Sequence, residues 1–203
     1  MNQAWELLFE GKIEEAKKLV SETFSLETCK DYSFLNLLGY IKLFEKDYQE
    51  ALLIYQNYLD VAISSQDKEN EHIGYHQLAM VYREMNDYQT ALNYINKERE
   101  VIEDSFSEDA LKSSVNNYEQ GYLRFKIGEI EKSIMYMEQS LKQALQTDDL
   151  IAQACAYRGL GEIYSVEKSK KSQENFLQAI DLFEKAGDQV GAQEVKDLLN
   201  KKK

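Results

Sequence analysis

The sequence predicts an all-α protein, a solenoid of about five helix-turn-helix repeats closed by a C-terminal capping helix. Three observations carry that prediction. The 203 residues include no proline; proline breaks helix interiors and punctuates loops, so its absence suits helices joined by short turns. A small residue recurs at Ala4, Gly39, Ala79, Gly121 and Gly161, at intervals of 35, 40, 42 and 40 residues. Twelve positions after the first four of these stands a second small residue, Ala16, Ala51, Ala91 or Ser133, preceded by three by Ile13, Tyr48, Tyr88 or Ile130. A sustained period of this size is the signature of a repeat architecture.

Each repeat reads as a helical hairpin. A small residue late in one helix and another early in the next let two antiparallel helices approach closely, and the bulky residue just after the turn plugs their crossing. The turns are Glu10-Gly11, Lys46-Asp47, Asn86-Asp87 and Gly128-Glu129. The first repeat, 1–30, contains AWELLFEGKIEEA at 4–16, and its leading helix is expected to be short because Met1 falls inside the repeat. The second, 31–70, contains GYIKLFEKDYQEA at 39–51, where Asp47 followed by Glu50 forms a capping box. The third, 71–112, contains AMVYREMNDYQTA at 79–91, and the fourth, 113–152, contains GYLRFKIGEIEKS at 121–133. The fifth, 153–188, opens on GEIYSVEK at 161; its turn, SVEKSKKSQEN, carries about one extra residue and puts Gln173 where a small residue is expected. From 189 to 203, Val190, Val195, Leu198 and Leu199 form one apolar stripe, as a capping helix with a polar outer face requires. Ser64–Glu71 and Asp104–Asp109 read as inter-repeat loops, with Ser105 and Glu108 placed to cap the next helix. No linker interrupts the pattern, so residues 1–203 are expected to form a single domain. One hairpin cannot bury its apolar face, whereas stacked hairpins share a continuous core.

These residues resemble the tetratricopeptide repeat, whose pattern has small residues at its eighth and twentieth positions and an aromatic near the seventeenth. The resemblance covers nearly the whole chain. HQLAMVYREMNDYQTALNYI, at 76–95, matches best through Leu78, Ala79, Tyr82, Tyr88 and Ala91. Lys42 and Arg124 depart from a position usually aromatic, and Gln120 from one usually leucine. The period exceeds the family's basic unit of about 34 residues; roughly six to eight extra residues at about 1.5 Å each lengthen the helices by about two turns in all. LQTDDLIAQACAYRGLGEIY (145–164) and LFEKAGDQVGAQEVKDLL (182–199) are similar to the longer repeats of kinesin light chains and of Rap-type bacterial peptide-sensing regulators. The resemblance implies a right-handed superhelix acting as a non-catalytic scaffold for a protein or peptide on its concave face. The alternative it implies is a peptide-pheromone sensor or regulatory domain similar to Rap-type regulators, without a DNA-binding or output domain of its own.

Composition narrows the function classes. The formal charge is −12, from 24 Lys plus Arg against 36 Asp plus Glu, which opposes binding to a phosphate backbone. The basic run Lys201-Lys202-Lys203 suits the negative end of a last helix. Cys29 and Cys155 stand alone, without metal or disulfide-framework spacing, which favours a reducing compartment and a structural role. The N-terminus, MNQAWELLFEGK, reaches Glu6 too soon for a signal peptide. No apolar run is long enough to span a membrane. A cytoplasmic protein without membrane or nucleic-acid partners is expected. No GxSxG, GxxxxGK[ST], HExxH or GxGxxG motif occurs, so no catalytic residue, cofactor or metal is assigned. His72 and His76 have the i,i+4 spacing of a two-histidine metal pair, with Glu69 near in sequence, but a closed site needs further ligands. His76 is read as a groove residue and His72 as solvent-facing. The acidic residues Asp67, Glu69, Glu71, Glu98, Glu100, Glu103, Asp104, Glu108, Asp109, Asp148 and Asp149 are expected along one edge, either as a solvated rim or as a surface that steers a basic partner.

Concave faces of tetratricopeptide arrays are lined by the first helix of each pair. Positions three before, one after and four after the opening small residue share one helix face. They are Asn36, Tyr40 and Leu43; His76, Met80 and Arg83; Tyr118, Tyr122 and Phe125; and Arg158, Glu162 and Ser165. Aromatic anchors, a methionine, two arginines and an amide form the mixture a peptide groove needs. Only Asn36, Arg83 and Arg158 stand in for the Lys/Asn clamp of chaperone-binding members. Tyr118, Tyr122 and Phe125 have a second reading, in which a one-residue change of register fills the core left by Gln120 and Arg124. Self-association through the solenoid ends is a further partner class.

Overall fold

The computed structural model describes residues 2–21, 30–167 and 169–200, and among them eleven helices and no strand. The helices are α1 (Asn2–Phe9), α2 (Ile13–Ser21), α3 (Tyr32–Phe44), α4 (Tyr48–Ser64), α5 (Lys68–Glu84), α6 (Tyr88–Ser105), α7 (Ala110–Lys126), α8 (Ile130–Ala144), α9 (Leu150–Val166), α10 (Lys171–Lys185) and α11 (Gln189–Asn200). Cys29 and the Lys201–Lys203 run lie outside the described residues. The chain divides into two compact units, Met1–Val101 and Ile102–Lys203.

Aspartate starts most of these helices. The side chains of Asp31, Asp47, Asp67, Asp109 and Asp149 accept hydrogen bonds from the backbone N–H of Phe34, Glu50, Asn70, Lys112 and Ala152, at 3.0, 3.4, 3.1, 2.9 and 2.9 Å. Asp87 and Asp188 do the same for Thr90 and Gly191, at 3.1 and 2.8 Å. Each satisfies a donor that the first helical turn leaves without an intrahelical acceptor. The expected loops are accordingly shorter than their polar composition suggests. Helix α4 runs to Ser64 and α5 begins at Lys68, so Lys68–Glu71 is a polar first turn and not a loop. Asp109, not Ser105 or Glu108, caps α7.

In the first unit Phe34, Leu35, Leu37, Ile41, Ile54 and Tyr58 gather around Ala4, Leu8 and Ala16. A second cluster joins Ala51, Tyr55, Leu59, Leu78 and Val81. Gly39 and Gly74 bring α3 and α5 against α4: an added Cβ would press on the Tyr55 ring and on the Leu59 backbone.

In the second unit Met137 sits between α7 and α9, where Gly121 and Gly159 make room for its thioether. Phe176, Ala179 and Phe183 of α10 pack with Ala154 of α9 and Ala192 and Val195 of α11. The fifth turn corrects one expectation. The small residue at the α9–α10 crossing is Ser172, not Gln173; its hydroxyl donates to the Gly161 carbonyl at 2.8 Å, as Ser133 donates to Gly121 at 2.7 Å. Four residues separate α9 from α10 instead of the three between α7 and α8, and α10 meets α9 one residue earlier than the pattern places it. Gln120 is fully buried, and Arg124 Nη1 donates to its main-chain oxygen at 3.1 Å and also to its side-chain oxygen. Arg124 also lies over the Tyr136 ring, 4.2 Å from its centroid. Arg124 thus supplies a donor to both oxygens of Gln120, and its Nε stands 3.7 Å from Glu129.

Candidate functional site

Every residue read from the sequence as groove-lining lies on a first helix of its pair and is half-buried. In the first unit, Tyr40 packs edge-on against Trp5, with ring centroids 5.5 Å apart. Leu43 rests on the Tyr55–Val81 cluster. The Asn36 carbonyl accepts the Tyr55 hydroxyl at 3.3 Å, while its buried Oδ1 has no hydrogen-bond partner. Met80 is half-buried on α5, and Arg83 Nη2 stands 3.6 Å from Glu84.

His76 Nδ1 is 3.2 Å from both carboxylate oxygens of Glu98. His72 is not solvent-facing as expected: it is buried, 8% exposed. Residues four apart lie only about 40° apart around a helix, so the α6 segment that covers His76 also covers His72. The acidic rim is likewise not a plain solvated edge. Asp67, Asp109 and Asp149 are spent as helix caps, Glu98 and Glu71 are buried, and Glu71 is paired with Lys68 at 2.8 Å. Among the described residues no group of three or more His, Cys, Asp or Glu side chains could hold a metal ion.

In the second unit, Tyr118 and Tyr122 stack at 6.4 Å with 15° between their planes. Together with Phe125 they pack against Met137, Leu160, Ile163 and Tyr164. They form the rim of that cluster and not its interior. Burial pushes the Tyr118 phenol well above its ordinary range; Cys155, Glu119 and Glu162 nearby add to the shift and Arg158 opposes it. Burial likewise pushes the Cys155 thiol up to about 11, so it is not an activated nucleophile. Arg158 Nε donates to Glu162 at 3.0 Å and its Nη1 to Glu194 of α11 at 2.8 Å. Beside this pair a cavity of about 280 Å³ is lined by Arg158, Glu194, Asp197 and Leu198. Glu194, Asp197 and Leu198 were not foreseen, because α11 reads as a cap and Glu194 is 36 residues from Arg158. A second, polar cavity of about 370 Å³ is lined by Ser107, Glu108, Ala110 and Ser113 on one side and by Gln139, Lys142 and Gln143 of α8 with Gln146 of the following turn on the other.

A tetratricopeptide-repeat family model matches residues 74–97, the α5–α6 segment that carries His76, Met80 and Arg83. No curated protein matches the chain. Among solved structures, the nearly identical TPR-like repeats of a Podosopora anserina kinesin light chain share 15% identity at a TM-score of 0.67, covering 92% of this chain and 93% of that one. A Rap protein complexed with competence and sporulation factor shares 15% identity at a TM-score of 0.76, covering 98% of this chain and 62% of that one. The tetratricopeptide sensor protein of the STAND class from Pyrococcus horikoshii shares 18% identity at a TM-score of 0.75, covering 96% of this chain but 30% of that one. At such identities the likeness is one of fold. The molecule is an all-helical repeat protein of the tetratricopeptide-like solenoid class. Its third helix pair contains a tetratricopeptide repeat by sequence, and its architecture is shared with the kinesin light chain and Rap folds. Among the described residues no helix is long and apolar enough to cross a membrane.

Proposed function

We propose that residues 1–203 act as one non-catalytic module that holds a protein or peptide along the half-buried faces of its first helices. The observation that carries this reading is the Tyr118–Tyr122–Phe125 rim. Three aromatic side chains stay partly exposed over a core already filled by Met137, Leu160 and Ile163. Rigid aromatic surface of this kind supplies most of the binding energy at protein interfaces. Asn36, Tyr40, Leu43, His76, Met80 and Arg83 hold the corresponding first-helix positions within the first unit. Arg158 with Glu162 fixes the α9 end of the site. An acidic ligand group reaching Arg158 would displace Glu194, a half-exposed partner whose ion pair is worth at most about 1 kcal/mol.

The test uses peptides selected on the wild-type protein from a random display library. Tyr122→Ala combined with Phe125→Ala should weaken their binding at least tenfold, while helical circular dichroism and the melting temperature stay nearly unchanged. Unaltered binding overturns the reading, and so does a collapse in stability, which would make these rings core.

A second reading is supported by the similarity over 98% of the chain to a Rap protein complexed with competence and sporulation factor. In that reading the ligand is a short free peptide, and its binding changes the spacing of the helix pairs. Small-angle scattering with and without a selected peptide separates the two: a changed radius of gyration supports the sensor, and an unchanged one the scaffold.

A further inference from the structure

The chain has two histidines, and both belong to one cluster. His72 and His76 lie four residues apart on α5, and Glu98 of α6 reaches both. Its Oε1 is 3.2 Å from His76 Nδ1 and 3.9 Å from His72 Nδ1; its Oε2 is 3.2 Å from His76 Nδ1. Glu98 is 2% exposed and His72 8%. A carboxylate so deeply placed is costly unless a positive or donating partner meets it. Imidazole is the side chain whose ordinary titration falls between pH 5 and 8.

The charged neighbours come from every helix of this part of the unit. On α5, Glu69 Oε1 stands 3.6 Å from His72 Nε2, and Lys68 is paired with Glu71 at 2.8 Å. On α6, the Lys97 ammonium lies over the rings of Tyr75 and Tyr94; Arg99 is half-buried and Glu100 exposed. On α4, Asp60 accepts from Gln56 at 2.8 Å, and Glu50 lies in the first turn. Glu69 and Glu98 thus each bring a carboxylate oxygen within 4 Å of an imidazole nitrogen.

We propose that this cluster is a proton-uptake switch. Acidification through the histidine range charges His76 against Glu98 and tightens the α5–α6 pair, and a rise in pH loosens it. The proton comes from solvent and stays on the imidazole, whose Nδ1–H donates to the buried carboxylate. The sign follows from linkage. A histidine that gains an anionic partner on folding contributes stability that is full below its unfolded ionisation value and is lost as pH rises through the folded one. His76 also shares a helix face with Met80 and Arg83, so the same proton adds one positive charge to that face.

Thermal melting of the full chain at about pH 6 and about pH 8 tests it, together with histidine ring-proton NMR titration. The wild-type melting temperature should be higher near pH 6, by roughly 2–4 °C, and His76→Gln should abolish that difference. The His76 resonance should titrate with a midpoint above the ordinary value of about 6.5, and Glu98→Gln should lower that midpoint. An equal or lower melting temperature near pH 6 overturns the proposal, as does a wild-type His76 midpoint at or below about 6.5. A full pH difference retained by His76→Gln does the same. Should a variant fail to fold, the wild-type titration midpoint decides alone.

Discussion

A Cβ added to Gly39 would stand 2.6 and 2.7 Å from Cε1 and Cε2 of Tyr55, and closer still to Cζ. The Tyr55 ring is fully buried and its hydroxyl donates to the Asn36 carbonyl, so the ring has nowhere to move. Gly159 faces an obstacle as near, Met137 Cε at 2.5 Å and Sδ at 2.6 Å. That obstacle is an unbranched thioether with several rotatable bonds, which gives way more cheaply than an aromatic ring. Overpacking of a tight core costs about 1–3 kcal/mol, occasionally more. Gly39→Ala should therefore fall at the upper end of that range and Gly159→Ala at the lower, with Gly39→Leu worse than either. Urea denaturation of the three variants measures the order. Equal losses at Gly39 and Gly159 would mean that Tyr55 can rotate away, and no loss at Gly39→Leu would remove the α3–α4 crossing from its assigned place.

At the scale of the element, the helix pairs were readable because their determinants are local: a small residue at each crossing, a turn, and an apolar stripe. The recurrent aspartate at helix starts is equally local, yet the polar run Ser64–Glu71 has the composition of a loop although Asp67 caps a helix beginning at Lys68. What local pattern does not show is how buried polar groups find partners. Glu98 meets His76 across 22 residues, Arg158 meets Glu194 across 36, and Ser114 donates to the Ser140 carbonyl across 26. The helix positions of the candidate residues are therefore legible in the sequence, and their ion pairs are not. The caps themselves yield a pH prediction. Hydrogen bonds from the backbone N–H of Asn70 and Lys112 hold the Asp67 and Asp109 carboxyls below their ordinary values. A carboxyl with a lowered folded value contributes stability above its unfolded value, about 3.9, and loses it as pH falls through the folded value. Asp109→Ala should cost about 1 kcal/mol near neutrality, and the cost should shrink progressively below about pH 4. Urea denaturation of wild type and variant across that range measures it; a cost independent of pH would mean that the carboxylate charge plays no part in the cap.

Over the whole molecule the charge of −12 sets a background against which the local ion pairs act. Several of those pairs are exposed, such as Lys12–Glu10, Lys132–Glu129 and Lys185–Asp181; such pairs contribute about 0–1 kcal/mol each and are screened by salt. Salt therefore acts in two opposed directions, weakening favourable pairs and relieving the repulsion among the excess carboxylates. The repulsion extends over the surface and is screened once the Debye length falls from about 30 Å at 0.01 M to about 8 Å at 0.15 M. The Glu98 pairs are buried and far less accessible to ions. With 36 acidic residues against 24 basic ones, relief of repulsion should dominate. The melting temperature should rise by a few degrees between about 0.01 and 0.15 M sodium chloride near neutral pH, and the rise should level off at higher salt. A melting temperature that falls over the same range would show that the screened ion pairs outweigh the repulsion among the excess carboxylates.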